Sequence, residues 1–123
     1  MWDRARPHLA EALEHARGTH SVDDILRLAG EGKLQLWVGD RSAAVTEILH
    51  FPQKRALNLF LAGGDLAEIR RAQPGIEAFG RGMGCDFMMF SARLTPAARP
   101  RSGWERACPD FTADWIAMSK ELA

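Results

Sequence analysis

Residues 57–69 read Leu57-Asn58-Leu59-Phe60-Leu61-Ala62-Gly63-Gly64-Asp65-Leu66-Ala67-Glu68-Ile69, and the period of the apolar positions changes inside this stretch. Up to Ala62 they alternate, as a strand with one buried face requires. The pair Gly63-Gly64 breaks the run, and Asp65 with Glu68 three positions on supplies an N-cap and an acidic N3 residue for a helix. That helix carries Leu66, Ile69, Ile76 and Phe79 inward at helical spacing. Pro74 falls inside the pattern and is expected either to restart the helix as a first-turn residue or to kink it. Gly80, Gly82 and Gly84 terminate it. Beyond them Phe87-Met88-Met89-Phe90, bounded by Asp86 and Ser91, is short and apolar enough for a strand buried on both faces. Strand, crossover helix and strand predict a locally parallel pair.

Upstream, the polar link Gln53-Lys54-Arg55 separates this strand from another over Ala44 to Phe51, which stops at Pro52 because proline donates nothing to a ladder. The turn Gly39-Asp40-Arg41-Ser42 leads back to a strand in which Leu34, Leu36 and Val38 alternate with Lys33, Gln35 and Trp37. Three strands with short polar links predict an antiparallel meander. Two helices precede it. Trp2, Ala5, Leu9, Leu13 and Ala16 mark one face of a helix from Trp2 to Arg17, ended by Gly18, and Ser21 with Asp24 opens a second over Val22 to Ala29. Downstream, Leu94 to Ser102 reads as a loop, Gly103 to Cys108 as a short helix before Pro109, and Asp114 to Lys120 as a last strand. The expected architecture is α/β (α+β): one mixed, mainly antiparallel sheet flanked by helices, in a single domain over residues 1–123.

This succession resembles the GNAT acetyltransferase fold, and the second half looks like a group of short GNAT-like proteins encoded by phages and prophages. The resemblance runs from about Val22 to Leu122. It is carried by Leu36-Trp37, Thr46-Glu47-Ile48, Ala62-Gly63-Gly64-Asp65-Leu66, Ile76-Glu77-Ala78-Phe79 with Gly84-Cys85, Gly103-Trp104-Glu105-Arg106 and Lys120-Glu121-Leu122. In those proteins a Gly-Arg-like pair after the fourth strand leads almost directly into Gly-Trp, whereas here Leu94 to Ser102 intervene.

An enzyme of this fold is expected to hold the acetyl-CoA pyrophosphate on backbone N–H groups where the central helix begins, after a Gln/Arg-x-x-Gly-x-Gly/Ala loop. At the corresponding junction, Gly63 and Gly64 permit close backbone approach, but the six-position motif is missing and Asp65 puts a carboxylate where the phosphate would sit. Gly63, Gly64 and Asp65 are therefore cofactor-binding candidates if the chain is enzymatic, and a turn and cap otherwise. The family also commonly uses a tyrosine as general acid, and this chain has four Trp and six Phe but no Tyr. Cys108 and Ser102 are the substitutes, although a cysteine before Pro109 also reads as a small buried hydrophobe. Glu47 and His50 on the second strand are the candidate general bases, or polar residues on its exposed face.

The 123 residues are 46% hydrophobic, enough for a core, and 16 Lys+Arg balance 16 Asp+Glu. Zero net charge lacks the footprint of a general nucleic-acid or membrane-surface binder, so no specific nucleic acid is expected. No apolar run approaches the ~20 residues of a membrane span, nor does the start carry a signal-peptide core, so a soluble protein of the bacterial host cytoplasm is expected. Cys85 and Cys108 lack zinc spacing, and His8 and His15 share a helix face without a third ligand, so no metal site is expected. Charge concentrates in one place: Arg93, Arg99, Arg101 and Arg106 face only Glu105, with Trp104 beside them. Arg and Trp are enriched at interface hot spots, which makes this loop the candidate partner-binding surface. The expected function is a non-enzymatic assembly or interaction module, a virion or tail component that contacts phage structural proteins or itself and needs no cofactor. The alternative is an acetyl-CoA-dependent N-acetyltransferase of an unknown amine.

Overall fold

The structure, a computed structural model, describes residues 2–14, 16, 18–91, 108–112 and 120–122. The chain divides into two compact units, Met1–Phe90 and Ser91–Ala123. In the first, helices α1 (Trp2–Leu13) and α2 (Val22–Gly30) precede strands β1 (Gln35–Val38), β2 (Ser42–His50) and β3 (Arg55–Gly64), then helix α3 (Leu66–Gly82) and strand β4 (Phe87–Phe90). These strands form a sheet in the order β1-β2-β3-β4. The meander β1-β2-β3 is antiparallel and β3 pairs β4 in parallel, as the alternation and the crossover predict.

Side-chain alternation sends the two faces of the sheet to different helices. Ala5 and Leu9 of α1 and Ile25 and Leu26 of α2 bury themselves with Ala43, Val45 and Leu61. On the other face Trp37 meets Phe79 of α3 edge-on, ring centroids 5.6 Å apart. Trp37 Nε1 donates to Thr46 Oγ1 at 3.0 Å, and that hydroxyl donates to Gln35 Oε1 at 2.9 Å, so the fully buried Thr46 is satisfied without leaving the sheet.

Several local expectations are corrected. Helix α1 ends at Leu13 rather than Arg17, because the chain tightens into i→i+3 bonds, Ala16 N to Leu13 O at 3.0 Å and Thr19 N to Ala16 O at 3.2 Å. Trp2, assigned to the inward face, is 40% exposed. Helix α3 runs unbroken through Pro74, so the proline neither restarts nor ends it. Its buried stripe, Ile69, Gln73, Ile76 and Gly80, has the regular spacing of one helix. Strand β4 is not buried on both faces, since Phe87 is 42% exposed.

In the second unit Cys108 is buried and its carbonyl accepts from the Phe111 N–H at 3.1 Å, while Lys120 to Leu122 have no regular structure. The loop Leu94 to Ser102, the helix expected from Gly103 and the strand expected from Asp114 otherwise lie outside the described residues.

Candidate functional site

The junction of β3 with α3 is where the sequence placed its cofactor candidates, and it is built from three separate elements. Asp65 is the N-cap of α3, its Oδ1 accepting the Glu68 N–H at 3.2 Å. Its own N–H donates to the Arg41 carbonyl at 3.0 Å, which stitches the helix to the β1–β2 turn. The Arg41 guanidinium returns the contact, 3.1 Å from the Asp65 carboxylate and 3.9 Å from that of Glu68. Glu68 reaches back across the turn, accepting the Arg41 N–H at 3.0 and 3.3 Å and the Ser42 hydroxyl. Charge-assisted bonds to carboxylates are the stronger kind, and here they cluster on two residues one helical turn apart.

The two glycines are not the expected turn but the last two residues of β3, paired with Ala43 and Ser42, and both are taken up by packing. A Cβ on Gly63 would lie 3.0 Å from the His8 carbonyl carbon and closer still to its oxygen, so α1 crosses directly on bare backbone. Gly64 has φ +96, and a Cβ there would lie 2.7 Å from Ser42 Cα and 2.8 Å from His8 Nδ1. Gly64 thus meets both demands only glycine satisfies, a left-handed backbone and no side chain under the β1–β2 turn.

Other candidates lie apart from this junction. Glu47 accepts from Asn58 Nδ2 at 2.8 Å across the β2–β3 ladder, and five residues of strand, about 16 Å, separate it from Ser42. His50 is exposed at the far end of β2, on the sheet face opposite to Glu47. Burial pushes the Cys85 thiol above its ordinary value, which lowers its thiolate fraction. Among the described residues no group of three or more His, Cys, Asp or Glu could hold a metal, and no helix is long and apolar enough to cross a membrane. Of the basic loop, Arg93, Arg99, Arg101, Trp104 and Arg106 all lie outside the described residues. What sequence reasoning missed is the part played by Arg41 and Ser42. They stand 26 or more positions from Glu68, and nothing in a turn Gly-Asp-Arg-Ser announces which helix it will meet.

One more feature sits beside the junction. Val45 pairs with Leu61 and the next residue, Thr46, pairs with Leu59, so Phe60 is an extra residue, a β-bulge on β3. The parallel ladder with β4 stops at the same level, at Leu59 against Phe90, and among the described residues Leu61 to Gly64 have a strand partner only on the β2 side.

No family model matches the sequence, and no curated protein matches it. Solved structures do. A probable acetyltransferase superposes with a TM-score of 0.67 at 10% identity, over 99% of this chain and 91% of that one. A Thermus thermophilus protein gives 0.60 at 15%, over 98% and 89%. An aminoglycoside acetyltransferase from an uncultured soil metagenomic sample, solved with sisomicin, gives 0.59 at 9%, over 94% and 86%. The fold is the acetyltransferase fold.

In an acetyltransferase fold that used acetyl-CoA as the resemblance implies, the N-terminus of α3 would present free N–H groups to a pyrophosphate. Here the Asp65 carboxylate takes the Glu68 N–H, which together with Arg41 holds it below the ordinary aspartate range. The Ser42 hydroxyl and then the Arg41 N–H do the same for Glu68. Two anions already occupy the positive end of the helix, and a pyrophosphate brought there would meet like charge. The residues present do not fit the group.

The depressed Glu68 value has a sign. In the acid range the unfolded chain binds a proton at Glu68 that the folded chain refuses, so stability rises with pH there. The contribution is full above the ordinary glutamate pKa of about 4.3 and is lost as pH falls through the lower folded value. Glu68→Gln should therefore lower the melting temperature at neutral pH and flatten its fall as pH drops below the ordinary glutamate pKa of about 4.3. Melts of both proteins across that range check it; parallel curves would refute it.

Proposed function

We propose that this chain uses the acetyltransferase fold as a non-enzymatic interaction or assembly module. The observation that carries the reading is the self-occupied N-terminus of α3, where Asp65 and Glu68 stand in place of a bound phosphate and Arg41 is spent on both. The absence of tyrosine supports it, since the phenol acid common in the family has no counterpart. Fold does not decide function; the site does. Within this reading, the Gly-Gly-Asp-Leu and Gly-Trp-Glu-Arg words support a phage-encoded protein of the host cytoplasm that joins the virion. Its recovery in purified particles would test that.

The competing reading, an acetyl-CoA-dependent N-acetyltransferase of an unknown amine, draws on neighbours named as acetyltransferases. Thermal denaturation separates the two. A ligand that binds only the native state stabilises it by mass action, about 2.7 kcal/mol at a hundred times its dissociation constant. Millimolar acetyl-CoA is expected to leave the melting temperature unchanged, and a clear upward shift would overturn the proposal.

A further inference from the structure

The opposite end of β3 carries a surface that the α3 junction does not use. The strand's ten residues put Arg55 about 30 Å from Gly64. There Phe51 of the β2–β3 hairpin and Phe87 of β4 stack, centroids 6.5 Å apart and planes 14° from parallel. Yet they remain 48% and 42% exposed, and Met83 is 46% exposed. A single exposed apolar side chain is ordinary, but paired aromatics left half in water are the composition of an interface core. Beside them opens a cleft of about 310 Å³ whose lining includes His50, Lys54, Arg55 and Asp86.

The cations around this cleft are less paired than most of those on the first unit. On the first unit Arg4, Arg6, Arg27, Lys33, Arg41 and Arg81 each lie within ion-pair distance of a carboxylate. Among the described residues Lys54 and Arg55 have no such partner. Asp86, the one acidic residue in the lining, is turned onto the strand, accepting the Arg55 N–H at 2.9 Å. The Arg55 guanidinium donates to the Met83 carbonyl at 2.6 Å, which fixes it over the C-terminal end of α3. An apolar shelf flanked by cations with no carboxylate to pair them suits a partner that brings both an apolar side chain and negative charge.

We propose that this end docks a protein partner through an acidic segment bearing an aromatic residue, its ring on the Phe51–Phe87 pair and its carboxylates over Lys54 and Arg55. The proposal rests on the interaction-module reading and gives that reading its contact surface. The probe is a fluorescein-labelled peptide, Asp-Glu-Asp-Phe-Asp-Glu-Asp, titrated with the full chain and followed by anisotropy. It is compared with Lys-Arg-Lys-Phe-Lys-Arg-Lys and with single-stranded oligothymidylate. The acidic peptide should bind with a dissociation constant of about 10–100 µM at low salt, and the basic peptide should not. Lys54→Glu and Phe51→Ser, both at exposed positions, should each weaken binding about tenfold, roughly one hot-spot contact. No binding at about 1 mM, or binding that survives both substitutions, would overturn the site. So would tighter binding of oligothymidylate, or a dimer seen in sedimentation and abolished by Phe51→Ser. Acetyl-CoA does not enter this assay. Failure here with no acetyl-CoA shift removes only the docking site, whereas an acetyl-CoA shift removes the non-enzymatic reading.

Discussion

Alanine at position 63 will lift α1 from the sheet and cost about 3 kcal/mol or more, the upper range for forcing atoms into filled space. The reason is what the new methyl would strike. Overpacked cores usually relieve themselves by turning a side chain, but the atoms over Gly63 are the carbonyl carbon and oxygen of His8, backbone in the middle of a helix. No rotamer change clears them. Either α1 moves as a body, which uncovers Ala5 and Leu9, or β3 bends away from β2. For a domain of this size the melting temperature should fall by roughly 12–24 °C, read by circular dichroism. Gly75→Ala is the control. It lies inside α3 with nothing within 4 Å of a new Cβ, so the same chemical change should raise stability by about 0.5–1 kcal/mol through helix propensity. Equal losses from both would show that the position of α1 is not what Gly63 determines.

The contrast between these glycines also marks where sequence reading worked and where it stopped. Period and capping are local, so the strand-to-helix change at Gly63-Gly64-Asp65, the capping box of Ser21 with Asp24, and the four-residue β4 were all legible from neighbouring residues. What Gly63 does was not, because its partner is His8, on an element far away in sequence. The same limit explains the candidate site. That Asp65 would cap α3 follows from its position, but that Arg41 and Ser42 would bind Glu68 depends on where the meander closes over the helix. Glu47 shows the converse. As a carboxylate on a strand it looked available for proton transfer, and the register that pairs it with Asn58 became visible only once β2 and β3 were aligned. Pro74 does not restart the helix, the first of the two expectations, for an energetic reason: the helix to either side buries Ile69, Gln73, Ile76 and Gly80, and that packing outweighs one lost backbone bond.

Leu9→Ala is expected to cost about 2–5 kcal/mol, the range for deleting a fully buried leucine. Leu9 is 0% exposed and shares its cluster with Ile25, Leu26, Val45 and Leu61, so the space it leaves is walled by α2 and by two strands that cannot collapse inward together. Leu9 follows His8 directly, and the two substitutions act on one contact from opposite sides. Gly63→Ala pushes α1 outward, and Leu9→Ala removes what holds it inward. If the alanine at 63 has already drawn Leu9 from its seat, truncating it afterwards has less to remove. The double variant should then be more stable than the sum of the single losses predicts, by about 1 kcal/mol or more. Ile76→Ala, on α3 against the other face of the sheet, should instead add to Gly63→Ala within about 0.5 kcal/mol. Urea denaturation of the single and double variants measures both couplings. Strict additivity of Gly63 with Leu9 would mean that α1 stays seated when Gly63 is filled and that the strain is absorbed in β3.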